Sequence, residues 1–189
     1  MANFLVNSAG LVTTGTDNAE TFLIQSGAVS ATTVIGNAGN DTIELLEGTG
    51  SADAVSIAGG GGADVYKVSG TTFDTASVLR GGAGGDTITF SGAVNFEGSV
   101  FGGDGSDVLE VKNASEFSDA RFGAGADKLS SNVVVSASGA TIAMGAGKDT
   151  LQLNKAGQLA SATIFGGGGA DTITISATTD DSDGVKVDL

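Results

Sequence analysis

The chain has no cysteine, no proline, no histidine and no tryptophan, and a single tyrosine. Each absence removes an explanation. Without cysteine there are no disulfides and no thiolate metal sites. Without histidine as well, the preferred ligands of zinc and copper are gone. The commonest general base and the thiol nucleophile are gone too. Proline cannot donate a backbone N–H, so its absence suits strands that are paired on both sides. Cationic side chains are scarce: 8 Lys and Arg stand against 22 Asp and Glu, a formal charge of −14. That balance argues against nucleic acid, which needs clustered Lys and Arg, and against anionic membranes. No stretch approaches the ~18 apolar residues of a membrane span. Residues 1–12 lack the charged start and long apolar run of a secretory leader, so the expectation is a cytoplasmic chain or one exported by another route.

Glycine, by contrast, is abundant, at 32 of 189 residues. It falls in a phrase that ends on an acid: GNAGND at 36–41, GGGGAD at 59–64, GGAGGD at 81–86 and GGDGSD at 102–107. Weaker copies end at Asp127 and Asp149, a full copy ends at Asp171, and a degenerate first copy ends at Glu20. Successive acids lie 21, 23, 22, 21, 20, 22 and 22 residues apart. A fixed period of this size marks a solenoid. High acidity with few aromatics can mean disorder, but 40% of the residues are hydrophobic and evenly spaced, which predicts an ordered chain.

Alignment on the acid exposes the repeat. Two residues after it stand Phe22, Ile43, Tyr66, Ile88, Leu109, Leu129, Leu151 and Ile173. Two further on stand Ile24, Leu45, Val68, Phe90, Val111, Ser131, Leu153 and Ile175. Alternation with period two predicts a strand with one buried face. Seven residues before the acid, Val34, Ile57, Leu79, Val100, Ala120, Ile142 and Ile164 predict a second strand. A third row, Phe73, Phe96, Phe117 and Leu159, follows the acid by about ten residues. No segment has helical periodicity, and a unit this short buries its apolar rows only by stacking on its neighbours. The predicted fold is all-β: a right-handed parallel β-solenoid of about eight coils in one domain, 1–189. Residues 1–12 would cap the N-terminal end, 13–175 would form the repeats, and 176–189 would be a C-terminal cap or tail.

Two glycine rows define the turn. Two residues before the acid lie Gly39, Gly62, Gly84, Gly105, Gly125, Gly147 and Gly169, with Asn18 in the first copy. Four before it lie Asn37, Gly60, Gly82, Gly103, Gly123, Gly145 and Gly167. Such rows point to left-handed backbone, which Gly adopts freely and Asn next best. Stacking would line up Asp41, Asp64, Asp86, Asp107, Asp127, Asp149 and Asp171, whose mutual repulsion needs compensation. Ca²⁺ is the natural counter-ion. It takes six to eight hard oxygens and accepts backbone carbonyls beside carboxylates, whereas Mg²⁺ holds on to its waters. The candidate ligands are these seven carboxylates and the turn carbonyls at Gly39, Gly60, Gly62, Gly82, Gly84, Gly103, Gly105, Gly125, Gly147, Gly167 and Gly169.

Residues 81–89 (GGAGGDTIT), 102–110 (GGDGSDVLE), 166–174 (GGGGADTIT) and 59–67 (GGGGADVYK) fit the pattern G-G-x-G-x-D-x-U-x, with U apolar; residues 36–44 (GNAGNDTIE) nearly fit. The chain thus resembles RTX (repeats-in-toxin) calcium-binding β-roll proteins over about residues 13–175. The resemblance implies a parallel β-roll with Ca²⁺ between neighbouring turns, and type I secretion with folding after export. One departure matters: RTX β-rolls carry two nonapeptides per coil, and here one alternates with a segment of 11–14 residues. A single calcium row is expected on one edge. The other edge would be closed by Phe73, Phe96, Ala114, Phe117 and Ala160. Phe122 and Met144 replace the first glycine before Asp127 and Asp149.

Other motifs fall away. Gly145-Ala-Gly-Lys148 superficially resembles a phosphate loop, but Asp149 follows it in the repeat frame. Asp180, Asp181 and Asp183 lack EF-hand spacing. Asp17, Asp53, Asp74, Asp104 and Asp119 are scattered, and no catalytic set is apparent. The row three after the acid (Glu44, Lys67, Thr89, Glu110, Ser130, Gln152, Thr174) is no regular ice-binding array. The expected function is a non-catalytic Ca²⁺-binding structural or assembly component of an extracellular surface: a surface layer, fibre or virion appendage. Its partners would be further copies of itself or other surface or virion proteins. The alternative is a soluble secreted Ca²⁺-binding or adhesive module with a separate ligand.

Overall fold

The computed structural model describes residues 2–25, 30–46, 51–70, 72–92, 95–113, 115–116, 119–136, 139–156, 161–177 and 186–189. Among these there is no helix, and the chain winds through about 7 turns of a parallel β-solenoid, close to the eight coils expected. Two long sheets form its walls. The first stacks Ala2–Val6, Glu20–Ile24, Thr42–Leu45, Val65–Val68, Thr87–Phe90, Val108–Val111, Lys128–Ser136, Thr150–Ala156 and Thr172–Ala177, with Ser115–Glu116 beside Lys128–Ser136. The second stacks Val12–Thr14, Thr33–Ala38, Ser56–Gly61, Val78–Ala83, Ser99–Asp104, Asp119–Ala124, Thr141–Gly147, Thr163–Gly169 and Lys186–Asp188. Successive coils meet residue for residue. Ile88 lies between Tyr66 and Leu109, and Leu79 lies between Ile57 and Val100.

The period-two alternation decides which side chains go inside. The row two after the acid is fully buried from Phe22 to Leu151 (Ile88 the most open at 3%), as is the row seven before it from Val34 to Ile164. In the last coil Ile173 and Ile175 are only partly covered. Aromatic rings reinforce the stack where they coincide: Phe4 stacks on Phe22 at 4.9 Å between centroids, and Phe90 on Phe96 at 5.4 Å. Offset ring pairs of this kind add about 0.5–1.5 kcal/mol beyond their buried area. Outside the walls the ion pairs Lys67–Glu44 and Arg121–Asp119 are exposed and contribute little.

The far edge holds a short third sheet of Ser51–Ala52, Thr72–Phe73 and Asn95–Phe96. Phe73 and Phe96 close this edge as expected, both fully buried with rings 5.1 Å apart. Ala114, Phe117, Leu159 and Ala160 lie outside the described residues, as do Asp180, Asp181 and Asp183. This edge also contains a turn that the sequence did not announce. Ten residues before the acid, Gly10, Ala31, Ala54, Gly139 and Ser161 all take left-handed φ, from 55° to 71°. The row mixes Ala, Ser and Gly, so it leaves no glycine signature.

A side chain in that region costs about 1–2 kcal/mol, partly offset by the greater freedom of unfolded glycine, about 0.4–1 kcal/mol. Ala54→Gly, which keeps the N–H that Asp74 accepts at 2.9 Å, should therefore raise stability by a few tenths to about 1 kcal/mol. Urea denaturation in calcium-containing buffer checks this; a loss of stability would contradict it.

Candidate metal centre

The candidate site lies where each second-sheet strand turns into the next first-sheet strand. The glycine rows shape this turn. Gly62, Gly84 and Gly105 have φ of 123°, 119° and 126°. A Cβ on Gly84 would sit 2.0 Å from the Gly62 carbonyl oxygen, and one on Gly103 would sit 1.9 Å from that of Gly82. Both rows therefore need glycine twice, for backbone conformation and for the close approach of the coil beneath. Their carbonyls face the glycines of the next coil, while the N–H groups of Gly62, Gly84, Gly105 and Gly125 donate to that coil's turn carbonyls at 2.6–2.8 Å. Asn37 substitutes with φ 79°, its side-chain amide donating to the Gly15 carbonyl at 2.7 Å. Asn18, expected in the same conformation, does not adopt it.

The aspartates follow immediately and point inward. Asp41, Asp64, Asp86, Asp107, Asp127 and Asp149 are each only 1–2% exposed. The backbone N–H of each acid donates to Oδ1 of the aspartate one coil later: Glu20 to Asp41 (2.8 Å), Asp41 to Asp64 (2.7 Å), Asp64 to Asp86 (2.8 Å) and Asp86 to Asp107 (2.8 Å). Asp107 to Asp127 (2.7 Å), Asp127 to Asp149 (2.8 Å) and Asp149 to Asp171 (3.0 Å) complete the ladder. All seven aspartates named from the sequence thus fall in one line. Asp171, in the outermost described turn, is only half-buried.

The other carboxylate oxygen is left over. Oδ2 of Asp41, Asp64, Asp86, Asp107, Asp127 and Asp149 is buried and has no hydrogen-bond partner. Five residues earlier a glycine faces Oδ2 in the coils of Asp41, Asp64, Asp86, Asp107 and Asp171, whereas Phe122 and Met144 hold that position before Asp127 and Asp149. A Cβ on Gly36, Gly59, Gly81, Gly102 or Gly166 would fall 2.2, 2.0, 2.3, 2.3 or 2.9 Å from the corresponding Oδ2. Carbonyls of the next coil border the same hollow: Gly59 O is 2.3 Å from the Gly36 Cβ position, and Gly102 O is 2.6 Å from that of Gly81. At Gly36, Gly81 and Gly102 a free carboxylate oxygen thus lies beside a backbone carbonyl from the neighbouring coil, the hard donor set that Ca²⁺ takes. Among the described residues no three acidic side chains gather as a cluster, so an ion here would rely on carbonyls beside the carboxylates. This third glycine row was missing from the candidate ligands, although its near-constancy five residues before the acid was visible.

Burial without a counter-charge raises the carboxyl pKa values. Desolvation is the largest cause throughout; the ladder N–H opposes it, and neighbouring carboxylates add to it for most of the row. Asp86 is pushed up to about 7 and Asp127 to about 6. Tyr66, in the row two after the acid, is fully buried and its hydroxyl donates to the Arg80 carbonyl. Its oxygen borders the Gly59 hollow, 2.8 Å from the Cβ position there. Burial, then the charges of Asp64 and Asp86, raise the phenol pKa far above its ordinary value.

Two acids outside the ladder have local duties. Asp74 accepts the Ala54 N–H and the Ser77 hydroxyl, and the first of these is the main cause of its lowered pKa. Asp119 accepts the Thr141 N–H and pairs with Arg121. Gly145 and Gly147, in the apparent phosphate loop, take the same left-handed turn as the other copies.

Parallel coils of about 22 residues, glycine turns and an inward aspartate ladder define a β-roll type of repeat protein. The family described as RTX calcium-binding nonapeptide repeat (4 copies) matches residues 27–49 and 163–174, which include the turns ending at Asp41 and Asp171. No curated protein and no solved structure matches the chain. These two segments match the RTX calcium-binding nonapeptide repeat, and the solenoid fits the RTX β-roll. RTX nonapeptide repeats are calcium-binding, their family is typically non-catalytic, and such repeats are typical of secreted extracellular proteins. Among the described residues no helix is long and apolar enough to cross a membrane.

The raised pKa values set a pH dependence for the calcium-free protein. Between the ordinary carboxylate range and about 7, the value for Asp86, the folded state binds more protons than the unfolded state. The stability linked to these groups is complete below the unfolded value and is lost as pH rises through the folded one. Asp74 works in the opposite sense, but only in more acid solution. Calcium-depleted protein should therefore melt at a higher temperature near pH 5 than near pH 8, as followed by circular dichroism. The reverse order would show that the ladder carboxylates are not desolvated.

Proposed function

We propose that Asp41, Asp64, Asp86, Asp107, Asp127, Asp149 and Asp171 form the acidic edge of a single solenoid domain, and that Ca²⁺ binds along this edge through Oδ2 and turn carbonyls. Gly39, Gly60, Gly62, Gly82, Gly84, Gly103, Gly105, Gly125, Gly147, Gly167 and Gly169 shape that turn. The observation that carries this reading is the row of buried, unpartnered Oδ2 atoms. An unpaired carboxylate at that depth destabilises the fold, and a divalent cation among hard oxygens reverses the effect. Binding free energy then becomes folding free energy.

The role that follows is a non-catalytic structural or assembly component of an extracellular surface, namely a surface layer, a fibre or a virion appendage. Two features support it. Asp74 and Asp119, outside the ladder, accept backbone N–H groups, and large apolar side chains are exposed at the outermost coils: Leu5 (52%) and Val12 (63%) at one end, Val187 (48%) at the other. Side chains of this kind suit contact with further copies or with another surface protein.

Calcium titration of depleted protein should strengthen its β-sheet circular dichroism and raise its melting temperature, and a chelator should reverse both. Tb³⁺ in place of Ca²⁺ should luminesce when excited through Tyr66, the sole tyrosine in a chain without tryptophan, and Tyr66→Phe should remove most of that emission while leaving the calcium-induced signal. No calorimetric binding and an unchanged spectrum would refute the ion reading. For the assembly role, electron microscopy with calcium should show filaments or sheets; a persistent monomer would point instead to a soluble secreted or adhesive module.

A further inference from the structure

Resting on that calcium reading, we propose that the ladder is interrupted: the coils of Asp127 and Asp149 take no ion, because Phe122 and Met144 occupy their hollows. Calcium then binds as one block at Asp41, Asp64, Asp86 and Asp107 and separately at Asp171. An apolar block divides the two.

The argument begins at the row five before the acid. In the coils of Asp41, Asp64, Asp86 and Asp107 that row is glycine, and a Cβ there would come within 2.0–2.3 Å of Oδ2. Non-bonded carbon and oxygen do not approach so closely, so Oδ2 takes the place a side chain would fill, and this arrangement of oxygens forms only where the row is glycine. Phe122 and Met144 supply both a Cβ and a large apolar group in that row. Both point inward and are buried, at 3% and 0% exposure. Carbon therefore stands where the glycine coils leave room beside the carboxylate. A calcium ion needs six to eight oxygens, and an apolar wall removes donors from its shell. Asp127 and Asp149 nevertheless keep the ladder bond through Oδ1, so these coils stay in register.

The coil of Glu20 bounds the block on its other side by different chemistry. Oε2 of Glu20 accepts the Thr16 N–H at 3.0 Å, and Oε1 accepts the Thr16 hydroxyl. The longer side chain reaches back within its own turn, so both of its oxygens already accept a hydrogen bond, unlike Oδ2 of the aspartates. Calcium dependence is thus concentrated in the coils between Glu20 and Phe122.

Equilibrium dialysis and calorimetry on the full chain would count the ions. The variants D127N and D149N keep Oδ1 as ladder acceptor and alter only Oδ2. Each should leave the number of bound ions per chain unchanged, whereas D86N or D64N should lower it by at least one. Phe122→Gly should add a site if it folds; its failure to fold would leave the comparison of asparagine variants as the deciding test. Loss of one ion in D127N or D149N would overturn the interruption while leaving the calcium reading intact. A wild-type chain that binds no calcium would overturn both.

Discussion

Each aspartate in the ladder accepts the backbone N–H of the acidic residue one coil earlier, and most of the architecture depends on that bond. It draws the carboxylate into the interior. It also fixes register, since acid must stack on acid. Spacing between acids runs from 20 to 23 residues, yet the glycine turns and both flanking strands stay aligned from coil to coil. The variation is pushed into the segments on the far side, where strands are short. Beyond Ser131 and again beyond Leu153 the first ladder slips register, on that same side.

The bond uses only one carboxylate oxygen. The second is buried with nothing to accept, and in the coils of Asp41, Asp64, Asp86 and Asp107 the glycine five residues earlier gives it space. The site therefore arises from a geometric surplus: a side chain needed for stacking carries one more oxygen than stacking consumes. A row of such oxygens, about one strand spacing apart, repels itself and resists ionisation. A hard divalent ion is the simplest compensation in a chain that has few cationic side chains. The match of residues 27–49 and 163–174 to the RTX calcium-binding repeat and the geometry of the ladder agree on this point.

The departures from regularity carry as much information as the repeats. Glu20 completes its own hydrogen bonds through Thr16. Phe122 and Met144 exchange the hollow for apolar packing. Tyr66 places a phenol where the other coils have plain hydrocarbon, and the Arg80 carbonyl satisfies it. Each irregular coil retains the Oδ1 ladder, so the solenoid accommodates chemical variation at the hollow without losing its stacking.

Much of this was legible in the sequence, because a solenoid writes its contacts as a period. The buried rows, the parallel stacking, the alignment of seven aspartates and the two left-handed glycine rows all follow from side-chain alternation and the steric limits of Cβ. The sequence by itself determined which residues lie in line. It did not determine what each atom does, since that depends on distances between coils. Only the tertiary structure separated Oδ1 from Oδ2, gave Asn37 rather than Asn18 the left-handed turn, and disclosed the far-edge turn through Ala31, Ala54 and Ser161. It also singled out the third glycine row as the wall of the hollow. A repeat specifies neighbours, but coordination and hydrogen bonding are decided over a few ångströms, where only the stacked backbone sets the geometry.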